Sequence, residues 1–220
     1  MNKAQIGQKA PLFSVSEWVQ GESINLDQLL GKVVLTEVFQ VNCPGCFLYA
    51  LPQAIDLHHR YSSQGLVVLG VATAFEDFDK NTLKNLTKLV NHGEVIGDTF
   101  QMLDQRGLLE SGRLPYSIPF PLAMDKLIKQ DGDLSEDAIK AFIDEHIPNF
   151  DQQPATFQEK ALEQVRSYLN KLEYRALTFE MYKLKGTPSH ILIDKQGILR
   201  ECAFGSDPGL EKHIQDLLLA

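Results

Sequence analysis

The chain has 220 residues, 44% of them apolar, enough for one large domain or a domain carrying an insertion. A formal charge of -8, from 29 acidic and 21 basic residues, argues against a protein that tracks nucleic-acid phosphates or an anionic membrane, and leaves proteins or small molecules as partners. No run approaches the roughly 20 apolar residues of a membrane span and the first residues hold no apolar stretch of signal-peptide length, so a cytoplasmic protein is expected, or a periplasmic one if a leader has been removed.

The stretch KVVLTEVF, Lys32 to Phe39, is β-branched and aromatic, follows Gly31 and is too short for a helix, which predicts a buried strand. Cys43 and Cys46 come next, separated only by Pro44 and Gly45. From Pro44 to Ser62 the spacing of Phe47, Leu48, Leu51, Ile55, Leu57 and Tyr61 predicts a helix; beyond Gly65, LVVLGVA predicts a second strand over Leu66 to Ala72. Asp79 or Asn81 is expected to cap a helix containing Leu83, Leu86 and Val90 that stops at Gly93. Residues 94–118 carry no decisive periodicity, and FPLAMD, Phe120 to Asp125, predicts another strand.

Residues 126–175 are predicted to form a helical pair inserted into a domain made of residues 1–125 and 176–220. Asp133 with Glu136, and Thr156 with Glu159, have capping-box spacing ahead of two apolar stripes, which are expected to pack on that domain. HILID, the turn KQG and ILRECAF then predict a β-hairpin. Asp207 and Pro208 open a last helix with Leu210, Ile214, Leu217 and Leu218 on one side.

The two close cysteines invite three readings. The chain has three cysteines, an odd number that does not make a structural disulfide framework. A structural zinc site needs four ligands, and His58, His59, His92, His146, His190 and His213 show no ligand spacing to the single pair, so no metal is expected. His58 and His59 read as solvated and His190 as packed in a strand. Redox exchange fits the local order: a strand ends, one thiol lies at the helix start, and the second follows one turn later. Cys43 would face the free N–H groups and positive pole of the helix, which favour thiolate and make it the nucleophile. Cys46, directed inward, would attack the mixed disulfide between Cys43 and a partner and close the ring. Glu37 lies in an otherwise apolar strand on the face of Val33, Leu35 and Phe39; it either pairs with a buried lysine or amide, or serves as general acid/base toward the inner thiol. Pro188, after Gly186 and Thr187, enters a strand, and on composition alone would be trans in an ordinary turn. Cys202 reads as a packed strand residue.

GQKAPLF, INLDQLLGKVVLTEVF leading into CPGC, then LVVLGVA, FPLAMD and YKLKGTPSHILIDKQGILRECAFG together resemble the thioredoxin superfamily, and within it the TlpA-like, redoxin-type thiol:disulfide interchange proteins. The resemblance implies an α/β, thioredoxin-like fold: a central mixed, twisted sheet flanked by helices, with a helical insertion. It implies a catalytic disulfide at Cys43 and Cys46, a cis Thr187–Pro188 bond beside it, a substrate surface formed by Thr187, Pro188, Pro44 and Gly45, and a buried acid at Glu37. The activity implied is exchange with protein disulfides or dithiols, supported by a redox partner protein and needing no cofactor. Three positions depart from the pattern: Asn42 stands where tryptophan is common, which should make the surface beside Cys43 more polar; Tyr49 replaces a glutamate; and Pro52 comes one residue late, predicting a kink or altered register. A thiol peroxidase is the enzymatic alternative, but Thr36 and Gln40 occupy the proline and threonine positions of P-x-x-x-T-x-x-C counted back from Cys43. A nonenzymatic protein-binding adaptor on the same fold is the other.

Overall fold

The computed structural model describes residues 3–130 and 136–220, which divide into two compact units: residues 1–127 with 176–220, and 128–175. In chain order the elements are β1 (Val15–Gln20), β2 (Val33–Phe39), α1 (Leu51–Tyr61), β3 (Leu66–Ala72), α2 (Leu83–His92), α3 (Gly97–Gln105), β4 (Leu122–Asp125), β5 (Leu127–Lys129), α4 (Glu136–His146), α5 (Ala155–Lys171), β6 (Tyr174–Ala176), α6 (Leu177–Met181), β7 (Ser189–Ile193), β8 (Leu199–Phe204) and α7 (Leu210–Leu219).

The larger unit is a six-stranded sheet in the order β1-β4-β3-β2-β7-β8, the mixed sheet flanked by helices that the sequence predicts. β2 runs parallel to β3 and β3 to β4, while β1, β7 and β8 pair antiparallel with their neighbours. Every residue of β2 is buried, because both faces of this central strand are covered. Its odd positions, Val33, Leu35 and Phe39, join Leu51, Ala54 and Leu57 of α1 and Leu210 and Ile214 of α7. Its even positions, Val34 and Val38, pack with Phe13, Leu26, Met181 and Tyr182 on the other side. Two-residue alternation on one strand therefore sorts side chains between two cores.

Gly70 of β3 is where three aromatic and aliphatic side chains meet: a Cβ built there would lie 2.3 Å from Leu122 Cδ2, with Phe120 and Phe39 at 3.3 and 3.4 Å. Gly70→Ala is expected to destabilise the protein by about 1–3 kcal/mol, the usual cost of overpacking a dense core, measurable as a lower urea midpoint with unchanged slope.

In the smaller unit the two apolar stripes meet each other. Ile139 and Ile143 of α4 meet Val165 and Leu169 of α5, with Phe142, Ile147 and Leu162 at the margin, so the helical pair has a core of its own. Its chain ends pair as a short ribbon, β5 with β6, too brief to show alternation in sequence.

Two capping expectations change. Thr82, extended at φ -117° and ψ 155°, caps α2 by accepting from the Asn85 amide at 3.2 Å; Asn81 is committed elsewhere in its loop. Pro154 precedes α5, which leaves Thr156 inside the first turn rather than at its cap. The proposed box at Asp133 and Glu136 involves a residue outside the described ones. The last helix begins at Leu210, with Asp207 Oδ1 accepting from the Gly209 amide at 2.7 Å just before it. No helix among the described residues is long and apolar enough to cross a membrane.

Candidate active site

The helix predicted from Pro44 to Ser62 forms in two registers. Pro44 and Gly45 are helical, Cys46–Ala50 form a π segment, and α1 follows. The Leu51 amide reaches back to the Cys46 carbonyl, five residues away, in place of the ordinary four. Pro52, the late proline, has no N–H to offer the Leu48 carbonyl, and this widened turn is the altered register it predicts.

Cys43 is the last residue before the helix. Pro44 fills the first helical position, where its missing donor costs nothing. The Cys46 amide donates to Cys43 Sγ at 3.3 Å, the kind of helix-start donor that stabilises a thiolate in the reduced state. Cys43 and Cys46 are joined in a disulfide with their Cα atoms 5.4 Å apart. Their exposures differ as exchange requires: Cys43 is 9% exposed and Cys46 fully buried, so a partner sulfur can approach only the first.

The Thr187–Pro188 bond is cis. The Thr187 carbonyl oxygen lies 3.5 Å from Cys43 Sγ, and a Cβ added at Gly45 would lie 3.7 Å from Pro188 Cδ. Cys43, Pro44, Gly45, Thr187 and Pro188, drawn from two segments far apart in sequence, thus come together around the outer sulfur, with Cys46 buried behind it. Glu37 lies beneath it on β2, 3% exposed, and burial holds its carboxyl well above the ordinary value of 4.5. No lysine or amide pairs with it among the described residues.

Two polar residues in the apolar run before Cys43 turn out to organise its surroundings. Gln40, 1% exposed, accepts from the Thr187 hydroxyl at 2.9 Å and donates to the Glu76 carbonyl at 3.3 Å, tying the end of β2 to the Pro188 loop. Asn42 does not lend polarity to the surface, as its replacement of tryptophan suggested: at 8% exposure it is turned inward. Its amide N–H donates to Asn81 Oδ1 at 2.9 Å, its Nδ2 to Asp77 Oδ2 at 2.6 Å, and its Oδ1 accepts from the Asp98 amide at 2.8 Å. The start of α3 must approach closely for that last bond, and Gly97 permits it: at φ +54° a Cβ there would come within 2.3 Å of Asn42 Oδ1. The signal for both residues was present as an amide in each of two otherwise apolar positions of VFQVNC.

His58 is only half solvated, correcting the sequence expectation; its ring meets Phe120 edge-on at 5.9 Å and burial lowers its pKa, with the neighbouring His59 adding to the effect. Cys202 on β8 is partly buried, and burial followed by the nearby Glu201 charge pushes its thiol up to about 12, so it is not primed as a nucleophile.

A mixed sheet that presents a close cysteine pair at a helix start, outer sulfur accessible and inner sulfur buried, defines a thiol:disulfide oxidoreductase of the thioredoxin fold. The chain belongs to the AhpC/TSA family, whose model matches residues 6–202. Among solved structures it is similar to a thioredoxin-like superfamily protein, SPOA0173, at 25% identity over 96% of each chain with a TM-score of 0.58. It is also similar to a thiol-disulfide isomerase from Corynebacterium glutamicum, at 27% identity over 96% of this chain and 97% of the other with a TM-score of 0.56. No curated protein matches the sequence.

Proposed function

We propose that the protein exchanges its Cys43–Cys46 couple with protein disulfides in the manner of the TlpA-like interchange proteins, in the cytoplasm and with a redox partner protein that resets the couple. The observation that carries this reading is the 3.5 Å approach of the Thr187 carbonyl to the accessible sulfur, which offers an extended peptide a backbone acceptor beside the atom it must reach. Phe204, 61% exposed with its ring against Gly186, and Tyr49, 55% exposed on the π segment, add apolar surface of the kind protein partners cover. The similarity to a protein named a thiol-disulfide isomerase supports the same reading.

In the forward direction Cys43 thiolate attacks a partner disulfide and one partner sulfur leaves. Cys46 then attacks Cys43 Sγ; the bond to the partner breaks, its electron pair leaves on the partner's sulfur, and the Cys43–Cys46 bond forms. Glu37 takes the Cys46 proton as that thiol becomes a nucleophile. Peroxide reduction is less well served, because Gln40, at the position of the peroxidase threonine, is already bonded to Thr187 and Glu76.

Cys46→Ser tests the reading. Mixed with a peptide closed by one internal disulfide, it should accumulate a covalent adduct at Cys43 that dithiothreitol releases, whereas the wild type passes to free reduced peptide. Absence of an adduct together with hydrogen peroxide turnover by the wild type would move the protein to the peroxidase class; absence of both would make it an adaptor.

A further inference from the structure

In the role proposed above Glu37 takes up a proton when Cys46 attacks and gives one up when the couple is reset, yet it is buried at 3% exposure. The sheet sets its surroundings. Across β3 its partner is Gly70, which has no side chain, and across β7 its partner is His190. In an antiparallel pair the two side chains share a face, with Cβ atoms about 5 Å apart, so the imidazole and the carboxyl project from the same side of neighbouring strands. The flanking positions on that face, Val68, Ala72 and Leu192, are apolar, as are Leu51 of α1 and Leu210 and Ile214 of α7 packed over them. Among the described residues of β3 and β7 in register with Glu37, His190 is the titratable one.

His190 is itself buried, at 2%, but it does not end the series. Its Nε2 lies 3.3 Å from Glu201 Oε1 on β8, and the other oxygen of Glu201 lies 2.8 Å from Nδ1 of His213 on α7. Side-chain exposure rises along this series from 3% at His190 to 23% at Glu201 and 53% at His213. Asp207 brings a carboxylate oxygen within 4.8 Å of both the His190 nitrogen and Glu201.

We propose that His190 is a proton-transfer residue, carrying protons between Glu37 and solvent by way of Glu201 and His213. Neutral imidazole accepts at one nitrogen and releases from the other, which makes it a carrier where a serine or amide would only be a partner. In the forward direction Cys46 gives its proton to the Glu37 carboxylate as its sulfur attacks Cys43; the partner sulfur leaves with the bonding electrons, so the partner is reduced and the cysteine pair oxidised. The proton then passes from Glu37 to His190, to Glu201, to His213 and to water, and the reverse direction retraces it. His190 acts through Glu37 rather than on the reacting sulfurs, so the proposal rests on the general acid/base role given to Glu37 above.

The test is His190→Gln, which keeps a side chain able to bond Glu201 but unable to relay a proton. With a chromogenic aromatic disulfide, the Cys46-dependent release from the Cys43 adduct should be about 10-fold slower at pH 7. Raising imidazole buffer at fixed pH should restore much of that rate in the variant and change the wild type little. Glu201→Gln, at a partly exposed site, should show a weaker form of the same buffer dependence and covers the case in which His190→Gln fails to fold. Wild-type rates in His190→Gln, or slow rates that buffer does not move in either variant, would overturn the relay. Glu37→Gln separates the two levels: if it is slow while His190→Gln is normal, only the relay fails; if it is itself normal, the acid/base reading fails with it.

Discussion

Cys43→Ser is expected to abolish disulfide exchange, lowering turnover of a protein disulfide by roughly 10³-fold or more while leaving the fold intact. The inner sulfur cannot substitute, because Cys46 is fully buried beneath the helix start and has no line of approach for a partner. The variant should retain its far-ultraviolet circular dichroism, since serine is close to cysteine in size and Cys43 lies at the edge of the core just before the helix. It should also form no adduct with the peptide that Cys46→Ser captures. A Cys43→Ser protein that still exchanged disulfides would place the nucleophile at Cys46 or Cys202, contrary to their burial and, for Cys202, to a thiol pushed up to about 12.

Glu37→Gln should separate activity from stability, slowing one and raising the other. Near neutral pH, loss of the proton acceptor for Cys46 is expected to slow exchange on the order of 100-fold. The stability effect follows from linkage. Burial raises the folded-state pKa of Glu37 above its unfolded value near 4.5, so the folded chain binds this proton more tightly than the unfolded chain. The resulting stabilisation is complete below about pH 4.5 and is lost as pH rises through the raised folded value, where folding must hold a buried charge. Glutamine removes that ionisation. The variant should therefore unfold about 1–3 kcal/mol later than wild type at pH 8, the scale for relieving a poorly satisfied buried polar group, and the gap should narrow toward pH 4. Urea titrations at the two pH values measure it. A variant that is destabilised at pH 8, or one that is stabilised yet exchanges at the wild-type rate, would remove Glu37 from the chemistry.

The parts of the fold legible in sequence were those where one period governs one element. β2 and β3 are continuous apolar runs because both faces are covered, and α7 shows its buried side plainly at Leu210 and Ile214. β1 was not legible: bulges between Val15 and Glu17 and between Trp18 and Gln20 break its alternation with β4. α3 was hidden for a different reason, since it begins at a left-handed glycine, carries Asp98 and Thr99 in its first turn and buries only Thr99 and Leu103. The insertion read correctly as helical, but periodicity reports which face is apolar and says nothing of what covers it. Its two stripes found each other.

At the site, the cysteine pair and its helix were local and readable from spacing. The contact with Thr187 and Pro188 was reachable only through resemblance, because it depends on β7 returning beside β2. Asn42 shows the limit of substitution reasoning: a polar residue in place of an aromatic one suggests a change of surface, whereas three hydrogen bonds draw it inward and join the α3 start to the cysteine loop. The strand register that sets Glu37 opposite His190 is invisible in sequence for the same topological reason, although each residue stands out as a polar group in a strand.

The most direct test of the central claim is a glutathione redox titration of the purified protein, with the state of Cys43 and Cys46 read by mass after thiol blocking. The account predicts one two-electron transition in which the two sulfurs oxidise together, a tenfold change in the equilibrium constant corresponding to about 30 mV, and its disappearance in Cys46→Ser. Oxidation that leaves Cys43 and Cys46 unlinked across the whole range, or that links either of them to Cys202 instead, would contradict it.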